Sequence, residues 1–319
     1  MSKKTESKML KNTAKNKTQH INSKSILKDK KYYQNFIKKS IEFLQQEAAK
    51  RGVQNFVVGL SGGVDSAVVA ALCKMAIQNL NQRNKNYLTT SATQKHTLNE
   101  IFALAMPSSS SSKDSLIHAK KLAHTFNLPL KILPLEHYQK EFINSHKIAT
   151  NKLPLPLEMG NFCARLRMAL LYDYSAHKKA IVVGTSNKSE LMLGYGTIFG
   201  DLACGINPIG SLYKSEIFAL AKMLKIPQVI ISKPPSADLY AGQSDEGELG
   251  FSYAEIDIVL EAICKKYGDF RKVKNFQKIN IKKLSDSNGK ALPKAIATMA
   301  KKRITQNLFK RELPLIFVP

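Results

Sequence analysis

Long apolar runs are missing from this chain of 319 residues, in which the longest covers only residues 67–73. A helix that spans a bilayer needs about 20 such residues, so we expect no membrane span. The N-terminal segment MSKKTESKML also lacks the apolar core of a secretory signal. These absences predict a cytoplasmic protein without a membrane partner.

Cysteine is scarce as well. The four cysteines are far apart in the sequence and form no C-x-x-C pair. This spacing gives no support to a disulfide framework, a zinc ribbon or a cysteine-held iron–sulfur cluster, and it favours a reducing compartment.

Acidic residues are few beside basic ones, 24 against 49, which gives a formal net charge of +25. Arginine is rare among the basic residues, and specific recognition of bases and phosphates favours its planar guanidinium over lysine. The excess charge lies at the two ends: residues 1–39 carry +10 and residues 265–319 carry +12, whereas residues 40–264 carry +3. We therefore expect any contact with nucleic acid to involve only the basic ends.

Composition also divides the chain. Residues 1–30 are rich in lysine, serine and asparagine and hold too few apolar side chains to offset the entropy of ordering, so we predict a disordered tail. Residues 31–319 form a single predicted domain. Within it, residues 81–100 are polar and aperiodic, which predicts a loop insertion, and residues 265–319 form a basic C-terminal segment.

Short apolar segments alternate with stretches of helical periodicity. Strands are predicted at residues 56–60, 101–106, 130–133 and 180–184, and helices at residues 32–48, 67–80, 114–126, 161–176 and 215–224. The pattern S-Y-A-E from Ser252 to Glu255 is a capping box and predicts a further helix. This alternation indicates an α/β fold with a doubly wound parallel sheet and helices on both faces.

The motif S-G-G-V-D-S at residues 61–66 lies between a predicted strand and a predicted helix. Its two glycines let the backbone approach an anion, and the helix N-terminus offers unpaired N–H groups. Its two serines add hydroxyl donors. Asp65 would repel a phosphate unless a cation lay between them, so it predicts Mg²⁺. The motif has neither the lysine of a Walker loop nor G-x-G-x-x-G spacing.

Polar segments near the fourth predicted strand add further candidates. The segment G-T-S-N-K-S-E supplies Thr185 as a donor to phosphate or ribose, and Glu190 as a second carboxylate that can share the metal with Asp65. The segment N-F-C-A-R-L-R places Asn161 and Arg165 on one helix face, and its two close arginines, Arg165 and Arg167, indicate binding of an anion or a carboxylate.

With S-G-G-V-D-S the chain resembles the PP-loop ATP pyrophosphatases, which cleave ATP between its α- and β-phosphates and transfer AMP to a substrate oxygen. The later motifs N-x-x-A-R-x-R, G-T-S-N-K-S-E, G-D, Lys214 and P-S-A-D-L, in this order, are similar to those of the NAD⁺ synthetases. This resemblance covers about residues 40–267 and is weaker towards the C-terminus. It implies a homodimeric, ammonia-dependent ligase that uses ATP and Mg²⁺ to amidate deamido-NAD⁺.

The resemblance also implies a role for each matching residue. Asp65 and Lys214 are expected to be catalytic, and Asp65 and Glu190 are expected to hold Mg²⁺. ATP is expected to contact the loop and three later segments, through Gly59, Ser61, Gly62, Gly63, Val64, Asp65, Ser66, Thr185, Lys214 and Ser236. Deamido-NAD⁺ is expected to contact Asn161, Arg165, Asp201 and Lys310.

The chain departs from the family pattern at three positions. Phe309 stands where many relatives carry a histidine that contacts the dinucleotide, and Ile198 and Gly205 stand where many carry lysine and aspartate. We expect these contacts to be absent or to be supplied by other residues.

The implied reaction begins with attack of the nicotinate carboxylate on the α-phosphorus of ATP, which yields an acyl-adenylate and pyrophosphate. Ammonia then displaces AMP, and the protein aligns the reactants and stabilises the charge that develops on the phosphates.

Two other interpretations stay open. A tRNA-modifying enzyme of the PP-loop group could use the lysine-rich tail, although the sulfur-transferring versions generally need the cysteine pairs that this sequence lacks. A non-catalytic nucleotide-binding module is the other, and it would not need Asp65, Glu190 and Lys214 together.

Overall fold

The computed structural model describes residues 26–86, 97–240, 242–271, 278–312 and 316–317. The strands are β1 (Asn55–Gly59), β2 (Glu100–Ala105), β3 (Leu130–Ile132) and β4 (Ala180–Val182). The helices are α1 (Lys30–Lys50), α2 (Val64–Asn86), α3 (Lys113–Thr125), α4 (Glu136–Thr150), α5 (Pro156–His177), α6 (Lys188–Leu193), α7 (Lys214–Met223), α8 (Gln228–Ile231), α9 (Asp245–Leu249), α10 (Tyr253–Tyr267) and α11 (Lys294–Gln306). Two short 3₁₀ helices cover Ile281–Lys283 and Leu308–Arg311.

The four strands form one parallel sheet in the order β3-β2-β1-β4. Phe56 in β1 pairs with Ile101 of β2 on one side and with Ile181 of β4 on the other. Since successive side chains of a strand point to opposite faces, Phe56 and Val58 join one apolar cluster whereas Val57 joins another. The sheet is therefore buried on both faces, as parallel sheets generally are.

Helices cover both faces of this sheet. Helices α1, α2, α3 and α7 contribute to the cluster on one face, and α5 packs against β1 and β4 on the other. The chain runs outward from β1 to β3 through α2 and α3, and then returns through α4 and α5 to β4 on the far side of β1. The direction of winding thus reverses between β1 and β4, which confirms the predicted doubly wound α/β fold.

A third apolar cluster lies among the helices that follow the sheet. Helix α10 packs against α6, α7 and α11, and its side chains Ile256, Val259 and Ile263 are buried there. The predicted capping box at the start of α10 is confirmed, because Ser252 N donates to Glu255 Oε2 at 3.1 Å and Glu255 N donates to Ser252 Oγ at 3.3 Å.

The predicted boundary of the N-terminal tail is wrong by a few residues. Ile26 is 3% exposed and packs in the third cluster, and Lys28 N donates to Tyr33 OH at 3.3 Å. Helix α1 begins at Lys30, where Asp29 accepts a capping hydrogen bond from Tyr32 N. One apolar side chain and one cap therefore fix the segment just before α1. Residues 1–25 lie outside the described residues.

The predicted loop at residues 81–100 is wrong at both of its ends. Helix α2 continues to Asn86, since polar residues without glycine or proline can extend a helix along the solvent side. Leu98 is fully buried, and β2 begins at Glu100. Residues 87–96 lie outside the described residues. Among the helices that the structure describes, none is long and apolar enough to cross a membrane.

Candidate active site

A cavity of about 740 Å³ lies where β1 and β4 end. Open α/β sheets bind ligands at such switch points, because the loops after neighbouring strands diverge there. The segments after both strands line it, and so do α5, α9, α11 and the loop before α9. Of the predicted site residues, all except Gly62 and Arg165 line this cavity.

The loop between β1 and α2 keeps its shape through close packing and its own serines. Gly62 has a φ of +77°, and a Cβ atom there would lie 2.1 Å from the Ser115 carbonyl oxygen. Ser61 Oγ accepts a hydrogen bond from Gly63 N at 3.2 Å, and Ser66 Oγ donates to Gly63 O at 3.0 Å. Gly62 therefore lies on the side of the loop away from the cavity, where the absence of a side chain lets the loop pack on α3. The side chains of Ser61 and Ser66 lie on the cavity wall.

A buried lysine joins two carboxylates on the floor of the cavity. Lys214 Nζ donates to Asp65 Oδ2 at 2.6 Å and to Glu190 Oε1 at 3.2 Å. Asn187 at the N-terminus of α6 binds both acids, because its Nδ2 donates to Asp65 Oδ1 at 2.9 Å and its backbone N donates to Glu190 Oε2 at 3.1 Å. Lys214 is 3% exposed. The first turns of α2, α6 and α7 thus meet in one polar cluster.

The electrostatics of this cluster follow from burial. Burial raises the pKa of Glu190 to about 8, although Lys214 opposes that rise, and Asp65 adds to it. Burial lowers the pKa of Lys214, but Asp65 and Glu190 more than offset this effect, so the pKa of Lys214 is raised. The ammonium is therefore held in its charged form, and a further cation near Glu190 would relieve the repulsion between the two carboxylates.

Lys233 reaches the cavity from the segment before α9. Its Nζ donates to Ser115 Oγ at 2.6 Å and lies 3.5 Å from Asp238 Oδ2. Ser236 Oγ donates to Gln243 O at 2.8 Å and accepts from Asp238 N at 3.1 Å. The cavity thus holds a second lysine, with its own aspartate, close to the glycine-rich loop.

Helix α5 and the segment after α6 form another part of the wall. Thr197 Oγ1 donates to Asn161 Oδ1 at 2.8 Å, and Thr197 N donates to Asp201 Oδ1 at 2.9 Å. Asn161 and Asp201, predicted from separate motifs, are therefore joined through one threonine. Sequence analysis did not single out this threonine.

The C-terminal 3₁₀ helix closes the same side of the cavity. Lys310 Nζ donates to the carbonyl oxygens of Gly194 and Gly196, at 2.9 and 2.8 Å. Burial lowers the pKa of Lys310, and the nearby Asp201 carboxylate opposes that shift. Phe309 is 57% exposed and does not line the cavity.

Gly205 and Ile198 are the other two positions at which the chain departs from the family pattern. A Cβ atom on Gly205 would lie 2.6 Å from Ile181 Cγ1, so an aspartate there would need a local rearrangement. Neither residue lines the cavity.

The two arginines of α5 have different surroundings. Arg167 lines the cavity, where its Nε donates to Met106 O at 3.0 Å and its guanidinium donates to Ser108 Oγ at 3.2 Å. Arg165 is exposed and lies outside the cavity wall. Sequence analysis pointed to both arginines but assigned only Arg165 to the substrate, because the R-x-R spacing alone does not tell which arginine faces inward.

Sequence analysis assigned no role to several other residues that line the cavity. Asp245 is buried and accepts from Ala237 N at 3.1 Å, and Tyr195 OH donates to Glu248 Oε2 at 2.5 Å. The Arg303 guanidinium lies over the Tyr195 ring, 5.6 Å from its centre. The acidic run Q-S-D-E-G-E was the available signal for the two acids.

The donor set is compatible with a hard cation shared with a ligand. Among the described residues, no group of three or more His, Cys, Asp or Glu side chains could hold a metal ion by itself. Mg²⁺ is often bound by one or two carboxylates together with substrate phosphates and water. Asp65 and Glu190, both in contact with one ammonium beside the glycine-rich loop, fit that pattern.

Comparison with known proteins identifies relatives along most of the chain. A family model described as NAD synthase matches residues 36–314. Over 277 residues the chain is 46% identical to the NH(3)-dependent NAD(+) synthetase of Wolinella succinogenes, which covers 86% of this chain and 92% of that protein. It is 43% identical over 290 residues to the enzyme of the same name from Helicobacter hepaticus, which covers 88% of this chain and 97% of that protein.

Solved structures give a consistent result. The NH3-dependent NAD synthetase from Campylobacter jejuni superposes with a TM-score of 0.63 at 37% identity and covers 90% of this chain and 99% of its own. The NMN synthetase from Francisella tularensis superposes with a TM-score of 0.69 at 28% identity and covers 89% and 98% of the two chains.

Proposed function

Because this chain belongs to the NAD synthase family, we propose that the cavity between β1 and β4 is its active site, and we infer below what each group does there. The reaction is the ATP-dependent amidation of deamido-NAD⁺ to NAD⁺, so the protein is a ligase that forms a carbon–nitrogen bond.

The observation that carries the site assignment is the buried cluster of Lys214, Asp65 and Glu190 beside the glycine-rich loop. The carboxylate of the nicotinate ring is a poor electrophile until its oxygen becomes part of a better leaving group. Attack of that oxygen on the α-phosphorus of ATP supplies one, and charge then develops on the phosphates. We assign Lys214 and the loop donors to the stabilisation of that charge.

We propose that ATP lies along the loop after β1 with its phosphates near Ser61 and Ser66. Thr185 after β4, Lys214 and Ser236 would complete its binding site, because all three line the same cavity. No side chain needs to act as a covalent nucleophile in this arrangement, since the substrate carboxylate supplies the attacking oxygen.

We propose that Asp65 and Glu190 hold Mg²⁺ together with the ATP phosphates. When bound, Mg²⁺ would neutralise phosphate charge. The raised pKa of Glu190 supports this role, because a carboxylate crowded by Asp65 gains from a cation beside it.

We propose that deamido-NAD⁺ lies on the wall formed by Asn161, Asp201 and Lys310. The link through Thr197 places the first two side chains together, and Lys310 holds the turn at Gly194 that leads to them. The nitrogen donor would be ammonia, because closely matching relatives are NH(3)-dependent NAD(+) synthetases.

We also propose that the protein is a homodimer. The end of α4, the start of α5 and the loop between them expose four large apolar side chains, with exposed fractions of 83%, 67%, 64% and 55% for Ile148, Leu153, Leu155 and Leu157. Such a group is costly in water and suits a self-complementary interface. Leu157 also lines the cavity, so a second subunit here would border the site. Arg165, exposed on the same helix, would contact the dinucleotide across that interface.

A cytoplasmic location completes the proposal. All four cysteines are free thiols, and burial raises the pKa of the Cys163 thiol, which makes the thiol less reactive. This arrangement suits a reducing compartment.

The likeness to an NMN synthetase makes nicotinate mononucleotide a second candidate substrate. The test is to incubate the full chain with ATP, Mg²⁺ and ammonium, and either deamido-NAD⁺ or nicotinate mononucleotide. We expect a higher kcat/KM with deamido-NAD⁺. A higher kcat/KM with the mononucleotide would overturn that preference, and a rate with glutamine equal to that with ammonium would overturn the assignment of ammonia as donor.

A further inference from the structure

Asp257 in α10 is a completely buried carboxylate that does not line the cavity. We propose that Asp257 is a positioning residue for the reaction, which holds the backbone of Lys214 so that its ammonium stays between Asp65 and Glu190. This inference rests on the role proposed above for Lys214.

The contacts of Asp257 converge on the first turn of α7. Its Oδ2 accepts from Ser215 N at 2.8 Å and from Ser215 Oγ at 2.7 Å, and its Oδ1 accepts from Ser189 Oγ. Ser189 Oγ in turn accepts from Lys214 N at 2.9 Å. One carboxylate therefore fixes, directly or through one hydroxyl, two successive N–H groups at the start of α7.

These N–H groups need acceptors from outside the helix. The first N–H groups of a helix have no partner within it, and the residue before α7, Tyr213, makes no side-chain capping bond. Asp257 and Ser189 supply the missing acceptors, and a carboxylate next to a helix N-terminus also interacts favourably with the helix dipole. Without Asp257 and Ser189, the backbone N–H groups of Lys214 and Ser215 would lose these hydrogen bonds.

The same bonds join α6, which carries Glu190, to α7, which carries Lys214. Ser189 precedes Glu190 in α6, and Ser215 follows Lys214 in α7. Because Asp257 accepts from both serines, α6 and α7 cannot shift against each other without breaking a buried hydrogen bond. The distance between Glu190 and Lys214 is thereby set from behind the cavity.

Helix α10 also contacts the other end of the lysine. Tyr253 lies one turn before Asp257, on the same side of α10, and the Lys214 ammonium lies 5.3 Å from the centre of its ring. Helix α10 thus touches Lys214 at the ring of Tyr253 and, through Ser189, at its backbone. This leaves little freedom for a side chain that is 3% exposed.

Burial raises the pKa of Asp257 to about 6, and the hydrogen bonds from Ser189 and Ser215 oppose the rise. At neutral pH the group is therefore an acceptor, as its hydrogen bonds require. Loss of this acceptor would leave buried N–H and hydroxyl groups without a hydrogen-bond partner, which is unfavourable.

The test compares Asp257→Ala and Asp257→Asn with Glu255→Ala. Glu255 is in the same helix and belongs to its capping box, so its loss weakens α10 without touching Ser189, Lys214 or Ser215. We expect Asp257→Ala to lower kcat by about 10- to 100-fold and to change both KM values by less than about threefold, since a small displacement of an aligned group acts on the chemical step.

The conservative variant adds a second measurement. The amide oxygen of Asp257→Asn can still accept from Ser215, so we expect that variant to recover a substantial part of the lost kcat. Glu255→Ala is expected to lower the melting temperature while kcat stays within about twofold of the parent. A kcat for Asp257→Ala within about twofold of the parent, or an equal loss of kcat in Glu255→Ala, would overturn the proposal. If Asp257→Ala does not fold, Ser189→Ala carries the same comparison, because it removes the acceptor of Lys214 N.

A double-mutant cycle separates positioning of Lys214 from general damage. If Asp257 acts through Lys214, Asp257→Ala has almost no further effect on kcat once Lys214→Ala is present. If the fold-losses of kcat in the two single variants multiply in the double variant, the inference is overturned, while the role of Lys214 stays intact. Normal kcat in the single variant Lys214→Ala would instead overturn the role of the lysine, and the inference with it.

Discussion

Lys214 Nζ lies 2.6 Å from Asp65 Oδ2, although the two residues are 149 positions apart in the sequence. The contact joins the first turn of α7 to the first turn of α2, directly after the glycine-rich loop. It therefore links the segment that is expected to bind phosphate to the charge that is expected to stabilise it.

Removal of this ammonium tests its proposed role. We expect Lys214→Ala to lower kcat by about 100- to 1,000-fold, because the variant loses a preorganised positive charge in a buried site. The measurement is the steady-state rate of NAD⁺ formation. Lys222→Ala is the matched control, since Lys222 is an exposed lysine of the same helix. A similar loss of kcat in both variants would count against a specific role for Lys214.

The packing behind the loop predicts a contrast between two glycines. Gly62 and Gly52 both have positive φ values, but a Cβ atom meets the Ser115 carbonyl oxygen at 2.1 Å only at Gly62 and finds open space at Gly52. We expect Gly52→Ala to lower the free energy of unfolding by about 1 kcal/mol, and Gly62→Ala by about 2 kcal/mol or more. Gly62→Ala should also weaken ATP binding in calorimetry, and equal ATP affinity for the two variants would contradict the account.

Glu216 predicts a pH dependence of stability. Burial raises the pKa of Glu216 from 4.5 to about 7, which the hydrogen bond from Tyr213 N opposes in part. Between these two pH values the unfolded chain has released the proton that the folded chain keeps, so stability falls as the pH rises. In Glu216→Gln this fall is absent, because glutamine can accept from Tyr213 N but does not titrate.

Urea unfolding of both proteins at pH 5 and at pH 8 measures the effect. We expect the free energy of unfolding of the parent, relative to Glu216→Gln, to drop by up to about 3 kcal/mol between these values. A constant difference, or one that grows with pH, would show that the carboxyl does not keep its proton on folding.

The apolar surface at α4 and α5 predicts the oligomeric state. We expect the parent protein to sediment as a dimer and Leu155→Glu to sediment as a monomer, because the substitution places a charge in the proposed interface. Ile117→Glu is the control, since Ile117 is an exposed apolar residue of α3. A dimer that survives Leu155→Glu, or that Ile117→Glu dissociates equally, would place the interface elsewhere.

The parts of the site that sequence analysis predicted are those with a local signal. The motif around Asp65 fixes a strand, a tight turn and a helix start within eight residues, so its position at the end of β1 followed directly from the fold class. Asn161 and Glu190 were found in the same way, from motifs placed next to predicted elements.

The parts that sequence analysis missed depend on contacts between distant segments. Lys233 becomes a site residue because it meets Ser115, 118 positions away. The choice between Arg165 and Arg167 depends on which side of α5 packs towards β2, and Ile26 is buried because it packs in the third apolar cluster. Periodicity within one segment does not contain this information.

The central claim is that the nicotinate carboxylate attacks the α-phosphorus of ATP in the cavity beside Lys214. The most direct test uses deamido-NAD⁺ with both carboxylate oxygens labelled as ¹⁸O, together with ATP, Mg²⁺ and ammonium, and mass spectrometry of the products. The account predicts one labelled oxygen in AMP for each NAD⁺ formed, and none in pyrophosphate. Formation of ADP and labelled phosphate, or of NAD⁺ with unlabelled AMP, would contradict it.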